Sequence, residues 1–138
     1  MVQQRPDRML GPGHDSFWEW CGRGELRLQR CTRCRELCWP AVTACEACGH
    51  DALEWEAMSG RGRIVSWCSF ERDYYAGAFP MPWTSILVEL EEGPWFLSEP
   101  QGFGAEAIAF GMPVAVAFLD CQDSAGGFAL PVFRARDD

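Results

Sequence analysis

A chain of 138 residues suffices for one ordinary domain, or for a small metal-stapled module beside a compact barrel, and excludes a large two-domain enzyme. With 48 % hydrophobic and 23 % charged residues it can build a core, so a globular chain is expected. The 12 Lys and Arg against 20 Asp and Glu give a net charge of −8, which argues against nucleic acid as a partner because affinity for a polyphosphate comes mainly from cations.

Residues 1–13 carry Arg5, Pro6, Asp7, Arg8, Gly11, Pro12 and Gly13, a composition that disfavours regular elements and predicts a flexible tail. Residues 1–20 hold no apolar leader and no window approaches about 18 apolar residues, so a cytoplasmic chain without a membrane span is expected. Ser16 and Glu19 have the spacing of a capping box, predicting a short helix over 16–21 that presents Phe17, Trp18 and Cys21 and ends at Gly22 or Gly24. Two large aromatics on so short a helix must be covered by the neighbouring module or by another protein.

From Glu25 the period changes. Leu26 and Leu28 alternate with Glu25, Arg27 and Gln29 up to Cys31, and Leu53, Trp55 and Ala57 alternate after Cys48, which predicts a small β-ribbon over about 25–58. It contains Cys31-x-x-Cys34 and, ten residues on, Cys45-x-x-Cys48. Two such turns brought together complete a tetrahedral four-thiolate shell, so Cys31, Cys34, Cys45 and Cys48 are the predicted ligands of one structural zinc. The ribbon has too little core to stand without that staple. Gly49 follows the second pair, but Arg35 occupies the equivalent place after the first and must accept a less comfortable backbone. Cys21, Cys38, Cys68 and Cys121 lack a partner at ligand spacing and read as small buried hydrophobes, and His50 as solvent-facing.

Downstream, strand-like runs cover 62–70, 84–91, 95–99, 113–119 and 128–133, with a short helical connection over 104–110. Five strands with a helical connection after the third predict an OB-fold barrel, making the chain mainly β: helix, rubredoxin-like ribbon over 14–58, then a barrel over 59–138. The only histidines, His14 and His50, sit in places that assemble no His-activated nucleophile, and no phosphate-binding Gly-rich loop is present. Glu89, Glu91 and Glu92 read as a solvated strand face. The aromatics Trp67, Phe70, Tyr74, Tyr75, Phe79 and Trp83, with Met81, gather around the first inter-strand loop, where barrel core and contact with a protein fit this composition better than base stacking.

The ordered motifs Phe17-Trp18, Gly24-Glu25-Leu26, Gln29-Arg30-Cys31, Trp39-Pro40, Cys45-x-x-Cys48-Gly49, Ser59-Gly60-x-Gly62, the run from Val88 to Gly93, Gly111-Met112-Pro113-Val114 and Leu130-Pro131-Val132-Phe133 resemble the OB-fold proteins of domain-of-unknown-function family 35. The resemblance implies a rubredoxin-like zinc ribbon and an OB-fold in a non-catalytic subunit accompanying a thiolase-like enzyme, one that supports acyl transfer, condensation or retro-aldol chemistry on CoA thioesters or polyketide intermediates. On that reading Arg61 and Arg63 are the candidates to meet a CoA phosphate at a shared interface, and Phe17, Trp18, Tyr74, Tyr75, Phe79, Met81 and Trp83 form the docking surface for the enzyme. The rival readings are a rubredoxin-like iron electron carrier and a nucleic-acid-binding zinc-ribbon protein. Arg35 departs from the family's usual Gly, and Cys38 is an additional thiol.

Overall fold

The structure, a computed structural model, describes residues 2–137 apart from Tyr75, Ala76, Ala78 and Pro80. Two sheets and one helix account for it. The smaller sheet is an antiparallel ribbon in the order β3 (Leu37–Cys38), β2 (Arg27–Cys31), β4 (Leu53–Ala57). Helix α1 (Asp15–Gly22) precedes it. The larger sheet contains β5 (Arg61–Phe70), β6 (Trp83–Leu90), β7 (Trp95–Ser98), β8 (Pro100–Gln101), β9 (Pro113–Asp123) and β10 (Gly126–Ala135), in the order β7-β6-β5-β9-β10-β8.

That path is open, with β7 at one end and β8 at the other, yet these are successive parts of one segment. The sheet therefore curls until its ends meet. Ser98 Oγ donates to the Pro131 carbonyl at 2.8 Å, and the Phe133 N–H donates to the Glu99 carbonyl at 3.1 Å. This is the curled five-strand OB architecture expected from the turn spacing, with a single 3₁₀ turn (Ala105–Ala107) in place of the helical connection over 104–110. Glycine makes the tight curl possible: a Cβ on Gly62 would stand 2.6 Å from the Glu89 carbonyl of the neighbouring strand, and Gly60 combines φ of +81° with the same distance to Val116 Cγ1. A bulge between Ile64 and Ser66 bends β5 where it leaves β9.

Alternation along the strands puts Ile64, Ile86, Val88, Leu90, Val114 and Phe133 inside. Leu26 and Leu28 from the ribbon, and Phe17 and Cys21 from α1, join the same buried cluster. Helix, ribbon and barrel thus share one core. Both predicted ribbon strands form, although Ala57 is exposed rather than inward.

Three expectations need correction. The segment read as a flexible tail is pinned: β1 (Gln3–Gln4) pairs in parallel with β9, and Arg5 is buried. Its anchors are acids more than ninety residues away, Glu99 for Arg5 and Asp123 for Arg8, and no local pattern reveals them. The capping box does not form, because α1 starts with His14 at its N-cap without a side-chain cap, while Asp15 Oδ1 accepts the Gly11 N–H at 2.8 Å. Cys21 and Cys121 are buried as expected, and burial pushes the Cys21 thiol up to about 12, but Cys68 is exposed where β5 runs beyond its pairing with β9.

Candidate functional sites: a four-thiolate cluster and an aromatic cavity

The two cysteine pairs sit in turns of the same design. The Arg35 N–H donates to the Cys31 carbonyl and the Cys31 N–H to the Glu36 carbonyl; the Gly49 N–H donates to the Cys45 carbonyl and the Cys45 N–H to the His50 carbonyl. Arg35 and Gly49 therefore occupy equivalent places, and both are left-handed, with φ of 67° and 79°. Arg35 accepts the strain that its position predicts; its carbonyl receives Arg30 Nη1 at 2.6 Å and its side chain meets Glu54.

All four sulfurs lie within 4.8 Å of one another, with Cys31 to Cys48 and Cys34 to Cys45 at 3.6 Å. Zinc–sulfur bonds of about 2.3 Å in a tetrahedron put sulfurs about 3.8 Å apart, so this donor set fits such an ion. Backbone N–H groups stabilise thiolate here. The amides of Cys48 and Ala47 draw Cys45 down to about 6 against the effect of burial. Desolvation pushes Cys31 up, yet the amides of Cys34 and Arg33 outweigh it and hold this thiol below its ordinary value. Cys38 is buried beside Cys31 and Cys45, is pushed up by that burial, and stays outside the group of four. His50 is half-buried and joins the turn through its backbone.

The second site is a cleft of about 350 Å³ between α1, the N-terminal strap and the β6–β8 end of the barrel. Phe17, Trp18, Phe79 and Trp83, named from two distant segments of sequence, converge on it together with Trp39 and Phe96. Trp39 stacks on Phe96 at 4.8 Å, and Phe79 on Trp83 at 4.4 Å. Phe17 is only 4 % exposed and packs against Trp39, so it belongs to the core and is withdrawn from the docking surface. Trp18 is half-buried, edge-on to Phe128, with its indole N–H donating to the Met9 carbonyl at 3.1 Å. The neighbouring parts of the chain cover the short helix.

Arg5 lines the cleft, donating through Nη1 and Nη2 to both oxygens of Glu99 at 2.7 and 2.6 Å, while Trp83 Nε1 donates to the same carboxylate. Arg8 grips Asp123 through Nε at 2.7 Å and lies over the Phe128 ring. That contact holds the Asp123 carboxyl far below the usual carboxylate range. The two ion pairs and the strap are what sequence reasoning missed.

Met81 and Tyr74 line a smaller adjoining hollow with Phe70, Phe79 and Trp83. Tyr74 is exposed, and Tyr75 lies outside the described residues. Arg61 and Arg63 stand elsewhere, at the start of β5. Glu91 binds Arg61 at 2.7 Å, Glu89 stands opposite Arg63 in the ladder, and Arg63 Nη1 donates to the Gly111 carbonyl, so both cations lie in an acidic neighbourhood. Glu89 also accepts the Trp95 indole N–H and Glu92 the Ser59 N–H, which puts polar contacts on the face read as solvated.

Fold and cluster together define an OB-fold protein with a four-cysteine ribbon. Residues 55–119 match the family described as ChsH2, C-terminal OB-fold domain. A probable enoyl-CoA hydratase alpha subunit of Thermomonospora curvata is 32 % identical over 123 residues, 87 % of this chain and 37 % of that protein. The 3-oxo-4,17-pregnadiene-20-carboxyl-CoA hydratase alpha subunit of Mycobacterium tuberculosis is 32 % identical over 86 % of this chain and 39 % of its own length, so the chain spans under two-fifths of either hydratase subunit. A DUF35 domain-containing scaffold protein of Pyrococcus furiosus is 31 % identical over 56 % of this chain and 57 % of that protein. Among solved structures, the Ltp2-ChsH2(DUF35) aldolase matches 94 % of this chain and 98 % of its own at 29 % identity and a TM-score of 0.82. A Sulfolobus solfataricus DUF35 protein shares the fold, with a TM-score of 0.62 at 14 % identity over 91 % of this chain and 87 % of that one. In its OB-fold and its four-cysteine ribbon the chain is similar to the DUF35 proteins.

Proposed function

We propose that the chain is a non-catalytic subunit of a complex with a thiolase-like enzyme acting on CoA thioesters or polyketide intermediates, and that Cys31, Cys34, Cys45 and Cys48 hold a structural zinc. One observation carries the reading: the likeness to the ChsH2(DUF35) aldolase chain extends over 94 % of this molecule. Zinc would supply cross-linking, since four protein sulfurs leave no open position for an activated water. No cysteine is in a disulfide, which supports the reducing, cytoplasmic setting proposed here, and among the described residues no helix is long and apolar enough to cross a membrane.

The proposed enzyme-facing surface keeps Trp18, Tyr74, Phe79, Met81 and Trp83, and gains Trp67 and Phe70 from the exposed end of β5. Arg61 and Arg63 remain the proposed contact for a CoA phosphate, with phosphate exchanging for Glu91 at Arg61. Co-expression with the thiolase-like subunit of the same genome tests the whole reading. The two are expected to co-elute as one complex, and acyl-CoA turnover to require the pair. Turnover of acyl-CoA by the purified chain alone, or failure to assemble, overturns it. Metal analysis finding one iron with visible charge-transfer absorption, rather than one zinc, would restore the electron-carrier alternative.

A further inference from the structure

The aromatic cleft has a feature that core packing does not require. Arg5 is 9 % exposed and lines the cleft; its two terminal nitrogens are taken by Glu99 and Gln3, but its buried Nε–H meets no oxygen or nitrogen acceptor, and the Cys121 thiol beside the side chain is only a weak one. Arg5 Nε is the sole buried side-chain N or O atom in that condition among the described residues. A buried donor without an acceptor is costly, and in a natural protein it points to an acceptor that arrives with a water or a ligand. The cleft, about 350 Å³, has the size of a small-molecule site and apolar aromatic walls with few polar groups, the usual make-up of such sites.

Charge narrows the occupant. Glu99 already neutralises Arg5, and Asp123 neutralises Arg8, so the rim offers no free cation to an anionic ligand, and a carboxylate would meet the Glu99 charge. A carbonyl oxygen can accept the spare N–H without adding charge, while its hydrocarbon part lies against Trp18, Trp39 and Trp83. We propose that the cleft walled by Trp39, Trp83 and Phe96 and floored by Arg5 is a binding site for a neutral apolar carbonyl compound, the carbonyl accepting from Arg5 Nε. Such a group occurs in a linear acyl chain and in a fused-ring ketone.

The test needs no enzyme partner, so its failure and that of the complex are distinguishable. The full chain is titrated with 2-decanone, 1-decalone and decanoate, each ketone ¹³C-labelled at its carbonyl, reading tryptophan fluorescence and the carbonyl resonance. Saturable one-to-one binding of a ketone, with a downfield carbonyl shift and decanoate about tenfold weaker or absent, is expected. Preference for decanone identifies the linear-chain source, and preference for decalone the ring source. Leu130→Trp, which fills the cleft, should abolish binding; Ser85→Leu serves if that variant misfolds. Arg5→Lys keeps a cation for Glu99 and should remove the carbonyl shift. No saturable response to either ketone, or ketone affinity unchanged in a folded cleft-filling variant, overturns the proposal.

Discussion

Arg35 and Gly49 show how one residue can be read, and altered, by analogy within a single chain. Both close a cysteine turn through the same backbone hydrogen bonds, but only Gly49 does so without a Cβ penalty. Left-handed backbone costs a non-glycine residue about 1–2 kcal/mol, and the exposed Arg35–Glu54 pair returns less than about 1. Arg35→Gly should therefore stabilise the protein by up to about 1 kcal/mol, read as a higher midpoint in chemical denaturation. A second residue-scale prediction concerns Asp123. Its folded pKa lies below the ordinary 3.8, so the unfolded chain binds the proton more readily; the stability contributed by Arg8 is complete above that value and is lost as pH falls below it. Melting temperature should drop between about pH 4 and pH 2 more steeply in the parent than in Asp123→Asn. Parallel curves would show that the pair contributes nothing.

At the scale of elements, the N-terminal strap is the clearest case. Two ladder residues on β9 would fray alone, and two nearly buried arginine pairs hold them. Removing one partner of a buried pair costs about 3–5 kcal/mol because the other charge is left unpaired. Arg8→Met should cost about 3 kcal/mol, and hydrogen exchange at the Arg5 amide, bound to the Gln122 carbonyl, should accelerate. The far end of β5 behaves differently. Residues 66–70 pair only with β6, and all are exposed, including Trp67 at 39 % and Phe70 at 37 %. A two-stranded extension of this kind gains little stability from its aromatics. Trp67→Ser with Phe70→Ser should leave the melting temperature within a few degrees of the parent while weakening the proposed complex at least tenfold, measured by calorimetric titration with the enzyme subunit. A loss of stability without a loss of affinity would assign these rings to the fold.

For the molecule as a whole, the shared core changes what metal removal should do. From sequence alone the ribbon looks separable, so that Cys45→Ser would unfold it and spare the barrel. Yet Leu26 and Leu28 lie in one buried cluster with Ile64, Val88 and Phe133, and the Met58 N–H donates to the Leu26 carbonyl. Unfolding the ribbon would expose the barrel's own interior. Chelation, or Cys45→Ser, is expected to lower the melting temperature of the entire chain in a single transition, seen in near-ultraviolet dichroism of the barrel tryptophans as well as in the ribbon. A barrel transition that keeps its midpoint without metal would show the two parts to be independent.

Patterns short enough to be local were legible without coordinates. The five barrel strands, the ribbon, the paired cysteines and the strained Arg35 all depend on alternation, turn chemistry or spacing within a few residues. The capping box was misread because its two residues suit several helix starts, and the tail because its partners, Glu99 and Asp123, are remote in sequence. The aromatic rings stand out in the sequence, but their surroundings do not: whether Phe17 faces solvent, a partner or the core depends on where Trp39 and Phe96 fall, and that is fixed by the curl of the sheet. Which elements form and which sulfurs share a turn are readable from the amino-acid order, because both follow from neighbours along the chain. That strap, helix and barrel end enclose one cleft around Arg5 emerges in three dimensions alone, because burial and charge pairing there join residues brought together by the curl of the sheet.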